Sequence, residues 1–314
     1  MKLVAPLAIT TSMFILFYFV NNHFLILSFN KKPLNVSGGS TFSVMSFNVN
    51  AYDSAMLTDN LRDKLIHLIK QESPDILCLQ ELSFKNTSRL EPQLESIYGK
   101  CEGLATEHKK WRFRFYSHFP MRNFNWYKCI GDIDLGGMSD DEKLEVNVYQ
   151  NQMNTMSAEF EVEHGKWVKL FSGQLRSSAY SIARRSMDKD ASWLSGLGLY
   201  WRNYKVGKRI RDYEAENVRR FIDAARAEGK PVIVAGDLND WCGSDCLNTL
   251  MGDDLKDAWW EGGNGFGWTY FGWHLRLRLD HILYSDELEL VDVKVIDTKL
   301  SDHKPLKAKF KYHN

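Results

Sequence analysis

Three short segments put carboxylate, carboxamide and imidazole groups where apolar runs stop: Val232-Ile-Val-Ala-Gly-Asp237-Leu-Asn239-Asp240, Leu279-Asp280-His281, and Ser301-Asp302-His303-Lys-Pro305. Metal-assisted hydrolysis of a phosphate ester needs such groups together. A hard cation neutralises charge on the phosphoryl group, a carboxylate orients or deprotonates water, and neutral amides donate to oxyanions without repelling them. The run from Pro231 to Ala235 reads as a buried strand, and Gly236 is expected to turn the backbone so that Asp237 and Asn239 face a cleft. An Asx turn capping a following helix is the competing reading of that pair. Polar residues at the ends of expected strands then give Asn48, Glu81, Gln174, Asp237, Asn239, Asp280, Asp302 and His303. Glu81 is the kind of hard oxygen ligand that suits Mg²⁺, which keeps waters and takes one or two carboxylates. His281, next to Asp280 on a strand, faces the opposite way and reads as a core or surface residue.

The elements that must hold these groups alternate along the chain. A strand is expected over Phe42 to Asn48, a helix over Leu57 to Gln71 from the spacing of Leu61, Leu65, Leu68 and Ile69, and a strand over Ile76 to Leu79 that runs into Gln80-Glu81. Further strands are expected over Arg112 to Ser117, Met156 to Val162 and Trp167 to Phe171. Two helices follow, one within Ser177 to Tyr200 and one over Arg209 to Glu228. Strands mixed with helices, some joined by hairpins, argue for an α/β sandwich over a purely parallel sheet.

With 314 residues the chain is long enough to bury a full core without disulfides. Its 40 basic and 40 acidic side chains cancel, so no global field draws it to nucleic acid or an anionic membrane; a polyanionic substrate needs a local basic patch. Arg176, directly after the Gln174 strand, is the candidate substrate-binding cation. The five cysteines follow no zinc spacing; Cys78 reads as core, and Cys242 and Cys246 could pair in an oxidising compartment. Within residues 1–30, Leu3 to Val20 carries no charge and, after Asn21-Asn22-His23, Phe24 to Phe29 is a second apolar patch, a stretch longer than the roughly 20 residues that cross a bilayer. They read as a retained membrane anchor or uncleaved signal, with 31–41 a linker, 42–314 the catalytic domain, and that domain outside the cytoplasm. A cleaved signal on a secreted protein is the alternative. No protein partner is evident. Gly262 to Trp273 is a glycine and aromatic loop and the best candidate for a specificity element, its aromatics reading either as a surface that stacks on a base or contacts lipid or as packing over a cleft.

The segments Met45-Ser-Phe-Asn48-Val-Asn50, Asp75-Ile-Leu-Cys-Leu-Gln-Glu81, Tyr116-Ser-His-Phe-Pro120, Gly236-Asp237-Leu-Asn239-Asp240, Leu279-Asp280-His281 and Ser301-Asp302-His303-Lys-Pro305 occur in the order found in the endonuclease/exonuclease/phosphatase superfamily, which this chain resembles over about residues 42 to 312. The resemblance implies a four-layered sandwich of two packed mixed β-sheets flanked by helices, here with an N-terminal transmembrane helix. It implies Mg²⁺ as cofactor, with Mn²⁺ as a substitute, held by Glu81 with Asn48 and Asp302 close to the ion. Asp237 would activate water, Asn239 would hold the phosphate, with Asn48 also contacting substrate, and His303 supported by Asp280 would bind or protonate a phosphoryl oxygen. Many relatives carry His where this chain has Gln174, which excludes a general acid there but leaves a hydrogen-bond donor. The implied activity is in-line hydrolysis of a phosphodiester or phosphomonoester, in nucleic acid, phospholipid or a small ester. The alternative is a catalytically impaired member that binds phosphoryl ligands or protein.

Overall fold

Alternation along the first strand sets the layers. The computed structural model describes residues 39–51, 59–82, 84–99, 113–128, 136, 143, 153–177, 193–271 and 276–313. In it β1 (Thr41–Ala51) sends Phe42 and Val44 into one apolar cluster and Met45, Phe47 and Val49 into another, so both faces are covered. β2 (Ile76–Leu82) divides in the same way, with Ile76 and Cys78 on one side and Leu77 and Leu79 on the other. The first cluster is the seam between two sheets. It also takes Val168 and Leu170 of β6 (Lys166–Gln174), Ile233 and Ala235 of β7 (Val232–Asp237), and Ile282 and Tyr284 of β9 (Asp280–Ser285).

Helices cover the outer faces. α1 (Asp59–Glu72) and α2 (Phe84–Tyr98) lie over β1 and β2, contributing Leu65, Ile69, Leu90 and Leu94. α3 (Trp193–Ala227) and α4 (Asp245–Met251) cover Phe171, Val232, Val234 and Leu283 with Val218, Ile222, Leu247 and Leu250. The outcome is the expected helix, sheet, sheet, helix sandwich, completed by the short α5 (Ala258–Gly262).

One sheet runs β10-β11-β1-β2-β3, with β3 (Arg114–Ser117), β10 (Leu288–Val295) and β11 (Leu306–Tyr312). The other runs β4-β5-β6-β7-β9-β8, with β4 (Met121–Lys128), β5 (Met153–Glu163) and β8 (Leu255–Asp257). Both sheets are mixed: β1 and β2 are parallel, as are β6 and β7, while β9 is antiparallel to β7. This register decides the site. Gln174 pairs with Asp237 and Asp237 with Asp280, so three polar residues stand side by side on neighbouring strands.

Four expectations are corrected. Gly236 does not turn the chain; it lies inside β7, opposite Gly173, and a Cβ on it would sit 2.1 Å from the Gly173 carbonyl oxygen, so it is needed for close approach of β6 to β7. The turn falls instead at Asn239, whose φ is +52°. The helix expected over Arg209 to Glu228 starts earlier, as α3 runs unbroken from Trp193 through Gly207, while residues 178–192 of the helix expected within Ser177 to Tyr200 lie outside the described residues. A mid-helix glycine costs only about 1 kcal/mol, and burial of Val206 and Ile210 on either side offsets it. Thr41, placed in the linker, already pairs with Lys311 as the first residue of β1. Cys242 and Cys246 are free, buried thiols; Arg278 donates to Cys242 Sγ, and Cys246 packs beneath α3. Cys78 is core, as expected. The apolar segment 1–30 and all of the proposed linker before Gly39 lie outside the described residues, and among the described residues no helix is long and apolar enough to cross a membrane.

Candidate active site

Asp237 is the hub. It is buried at the end of β7, and its Oδ2 receives Asn48 Nδ2 at 3.0 Å, Asn239 Nδ2 at 3.1 Å and Gln174 Nε2 at 3.2 Å. Three carboxamides from β1, β6 and the β7 exit thus donate to one oxygen across the seam between the sheets. Asn48 Nδ2 also lies 3.1 Å from Glu81 Oε1, and Gln174 Nε2 donates to that same Glu81 oxygen. Asn48 is therefore not a filler: its Oδ1 accepts from Asn50 N at 3.0 Å while its amide joins the two carboxylates.

Backbone strain aims these groups. Strand alternation would point Glu81 away from the seam, because Gln80 points into it and donates to Ser46 and Ser172 of opposite sheets. Glu81 instead has φ +57°, and the pairing of β1 with β2 shifts between Asn48 and Ala51. Asn50 (φ +43°) and Asn239 are in the same left-handed region. Each such residue costs on the order of 1 kcal/mol or more and persists only where the surroundings hold it. Here the hold is visible for Asn239, whose N–H donates to Asp237 Oδ1 and whose side chain also donates to the Leu175 carbonyl.

Opposite the amides stands His303. Its Nδ1 is 2.7 Å from Asp280 Oδ2 and its Nε2 3.8 Å from Asp237 Oδ2. The last separation is too long for a hydrogen bond, so Nε2 faces the pocket. Thr269 Oγ1 accepts from the backbone N–H groups of Leu279 and Asp280 and fixes the start of β9. The Tyr270 ring packs 5.0 Å from that of His303. Burial opposes the imidazolium, but Asp280 and then Asp237 outweigh it, and His303 is raised well above its ordinary value. Burial also pushes the Asp237 carboxyl up; His303 opposes this, while Asp280 and Glu81 add to it. Asp280 Oδ1 is buried and accepts no hydrogen bond from the described residues.

The eight strand-end residues therefore converge, with one at the margin. Asp302 is half-buried and joins through Asn50, whose Nδ2 donates to Asp302 Oδ1 at 2.9 Å. Arg176 follows Gln174 on the β6 exit, half-buried, with its backbone held by α3. His281 lies on the other face of β9, fully buried, with Nδ1 2.9 Å from Asp257 and Nε2 3.0 Å from the Asp240 carbonyl. The glycine and aromatic loop reaches the pocket through Thr269 and Tyr270. Sequence reasoning gave no role to Asn50, Thr269 or Ser301, whose hydroxyl donates to the Asn48 carbonyl. Asn50 had a signal, since it stands two residues after Asn48; Ser301 is recognisable only once it is brought to Asn48 from 253 residues away, and Thr269 only once its loop folds back on the start of β9.

Residues 45–303 match the Endonuclease/Exonuclease/phosphatase family, which is most of the chain. The chain belongs to this family. It is a phosphoesterase of the group. Its fold is similar to that of the human Nocturnin catalytic domain with bound sulfate, at TM-score 0.60 and 16% identity over 87% of this chain and 94% of that one. It is also similar to D. rerio TDP2 complexed with a single-strand DNA product, at TM-score 0.57 and 16% identity over 87% and 100%. A third is ANGEL2, a 2′,3′-cyclic phosphatase in complex with adenosine-2′,3′-vanadate, at TM-score 0.59 and 16% identity over 87% and 96%. At these identities the likeness is one of fold. Comparison with curated proteins gave no match.

Two sets of donors in this phosphoesterase could be read as a metal site. Among the described residues, Asp237, Asp280 and His303 form a group of three whose ligand atoms lie within 4.8 Å of one another. Its imidazole is already engaged by Asp280 through Nδ1. Glu81 and Asp302 are the other set. Both are half-buried carboxylates at the mouth, and the amide donors engage only one oxygen of Glu81, leaving Oε2 for another partner. Oxygen donors with few carboxylates fit Mg²⁺ better than a site containing imidazole.

Proposed function

We propose that this chain is a Mg²⁺-dependent phosphoesterase in which water attacks a phosphodiester or phosphomonoester in line with the leaving oxygen. The observation that carries the reading is the convergence of three amide donors and the His303 ring on Asp237 Oδ2. Donors so arranged serve a phosphoryl oxygen equally well. Asn239, Gln174 and Asn48 donate to the phosphoryl group as its charge grows, each such donor being worth about 2.7–4 kcal/mol in comparable oxyanion sites. Asp237, its carboxyl raised towards neutrality by burial, orients the water and takes its proton. His303, kept protonated and aimed by Asp280, donates from Nε2 to the phosphoryl oxygen on the far side. Glu81, Asn48 and Asp302 would hold Mg²⁺, with Mn²⁺ as a substitute, and the ion supplies neutralisation of charge on the phosphoryl and leaving oxygens. Arg176 supplies a cation beside the same strand exit.

Gln174 was the only support for a non-catalytic binding module. It is built into the site, donating to both Glu81 and Asp237, and so favours the enzyme. Substrates of the D. rerio TDP2 and ANGEL2 kind make nucleotide phosphodiesters one class to test here. A phospholipid headgroup is the other, because residues 1–30 are apolar enough to anchor the domain beside a bilayer, on its extracytoplasmic side. The test is a panel of the full chain with Mg²⁺ or Mn²⁺ against plasmid DNA, abasic duplex, sphingomyelin and bis-p-nitrophenyl phosphate, beside Glu81→Ala and His303→Ala. Hydrolysis of at least one substrate, lost in both variants, is expected. Equal hydrolysis by the variants would remove the site.

A further inference from the structure

Arg211 is the largest fully buried side chain among the described residues, and it lies outside the pocket on α3. Its Nε donates to Asp240 Oδ2 at 3.0 Å, and its Nη1 donates to the carbonyl of Arg176 at 2.9 Å. One helical turn on, Glu214 accepts the N–H of Arg176 at 2.6 Å and the side-chain amide of Asn154. Both backbone polar groups of Arg176 are therefore held from α3, and the same guanidinium holds Asp240. These two residues follow Gln174 and Asn239 on the exits of β6 and β7. The exits are also tied to each other: Leu175 N donates to the Asp237 carbonyl at 3.0 Å and Asn239 Nδ2 to the Leu175 carbonyl at 3.0 Å. On its far side Asp240 offers its carbonyl to His281 Nε2.

Packing alone gives no reason for an arginine here. Its neighbours on the buried face of α3 are the apolar Ile210, Ala215, Val218 and Ile222 together with Glu214, which holds the same Arg176 backbone. Taking a charge out of water costs several kcal/mol unless its hydrogen bonds are made well. A lysine would have to serve both acceptors from a single ammonium nitrogen, whereas the planar guanidinium presents Nε to Asp240 and Nη1 to the Arg176 carbonyl in a fixed fork.

We infer that Arg211 is a positioning residue that clamps the β6 and β7 exits together, so that Gln174, Asp237 and Asn239 keep one fixed geometry around the phosphoryl group. The inference rests on the proposed function for its catalytic consequence, though not for the clamp itself. Misplacement of a reacting group by about 1 Å can cost about 100-fold in rate. The clamp thus acts on turnover more than on substrate capture.

The test compares full-length wild type with Arg211→Lys, Asp240→Asn and the double variant by amide hydrogen exchange and by steady-state hydrolysis of bis-p-nitrophenyl phosphate with Mg²⁺. Arg211→Lys is expected to speed exchange at residues 175–177 and 238–241 together, with Leu77 to Leu79 unchanged. It should lower kcat about 10-fold or more with KM within about twofold. Asp240→Asn, which leaves the Arg176 carbonyl bond in place, should loosen chiefly the 238–241 segment; it reads the clamp should Arg211→Lys fail to fold. The double variant should be little worse than Arg211→Lys. Unchanged exchange in both segments, or a fall in kcat that only tracks the unfolded fraction, would overturn the clamp. If wild type hydrolyses nothing while the exchange pattern is as expected, the proposed function fails and the clamp stands.

Discussion

Two buried Asp–His pairs meet at adjacent residues of β9, and only one of them is unfinished. Asp280 faces the seam and holds His303; His281, on the opposite face, is held by Asp257. In the second pair every polar atom has work. His281 contacts an oxygen at each ring nitrogen, and Arg278 Nη1 donates to both oxygens of Asp257 at 2.7 and 2.8 Å. In the first pair His303 Nε2 points at Asp237 from beyond hydrogen-bond range, and Asp280 Oδ1 accepts nothing from the described residues. Buried polar groups are normally satisfied, because leaving one unmade costs about 1–3 kcal/mol. Incomplete bonding of the Asp280–His303 pair at the seam is therefore a capacity for something that binds there, whereas the fully bonded Asp257–His281 pair is structural.

The largest expected effect separates the pairs by rate. His303→Asn should lower kcat of the folded fraction for bis-p-nitrophenyl phosphate about 1,000-fold, within the range of about 10²–10⁴ for a lost general acid or base and far beyond what its loss of stability explains. A smaller loss, on the order of 10- to 100-fold, is expected for Asp280→Asn, which keeps the ring but weakens its charge and aim. Steady-state kinetics would reverse the ranking of the two residues if Asp280 were itself the reacting group.

His281→Asn should behave in the opposite sense. Removing a partner from Asp257 and Arg278 is expected to cost about 2 kcal/mol or more of stability, read by urea unfolding, with kcat of the folded fraction falling less than about 10-fold. A fall as deep as that of His303→Asn would erase the distinction between the pairs.

The smallest effect is in pH dependence, and its sign differs between the two. Burial alone would raise Asp257, but Arg278 and His281 outweigh it and hold the carboxyl well below the usual range. The stability this gives is fully present above the ordinary value of 3.8 and is lost as pH falls through the folded value. For His303, which Asp280 and Asp237 raise against the burial penalty, the contribution is fully present below the ordinary 6.5 and is lost as pH climbs towards about 10. Unfolding curves across pH should show Asp257→Asn flattening the acid limb and His303→Asn the alkaline one. Curves that flatten on the opposite limbs would show that the charges are assigned wrongly.

Much of this comparison is legible in the sequence. Alternation on a strand separates Asp280 from His281, and apolar runs that end in polar residues give Asn48, Glu81, Gln174 and Asp237. The layer order follows as well, because β1 and β2 are apolar on both faces. Conformations that break local rules are not legible. Alternation places Glu81 on the wrong face, and only its left-handed backbone brings it to Asn48. A glycine was read as a turn at 236 because sequence does not show that β6 lies 2.1 Å from where its Cβ would be. The same holds for Arg211 and Glu214, whose partners are 29 to 60 residues away and whose types are ordinary on a helix.

The central claim, that buried Asp237 and its amide and imidazole partners form a metal-dependent hydrolytic centre, is met most directly by one assay. EDTA-treated full-length protein is followed on bis-p-nitrophenyl phosphate before and after addition of Mg²⁺, with Asp237→Asn alongside. Turnover that is absent without Mg²⁺, restored by it, and about 1,000-fold lower in the variant is the expected result. Turnover that ignores EDTA, or a variant as fast as wild type, contradicts it.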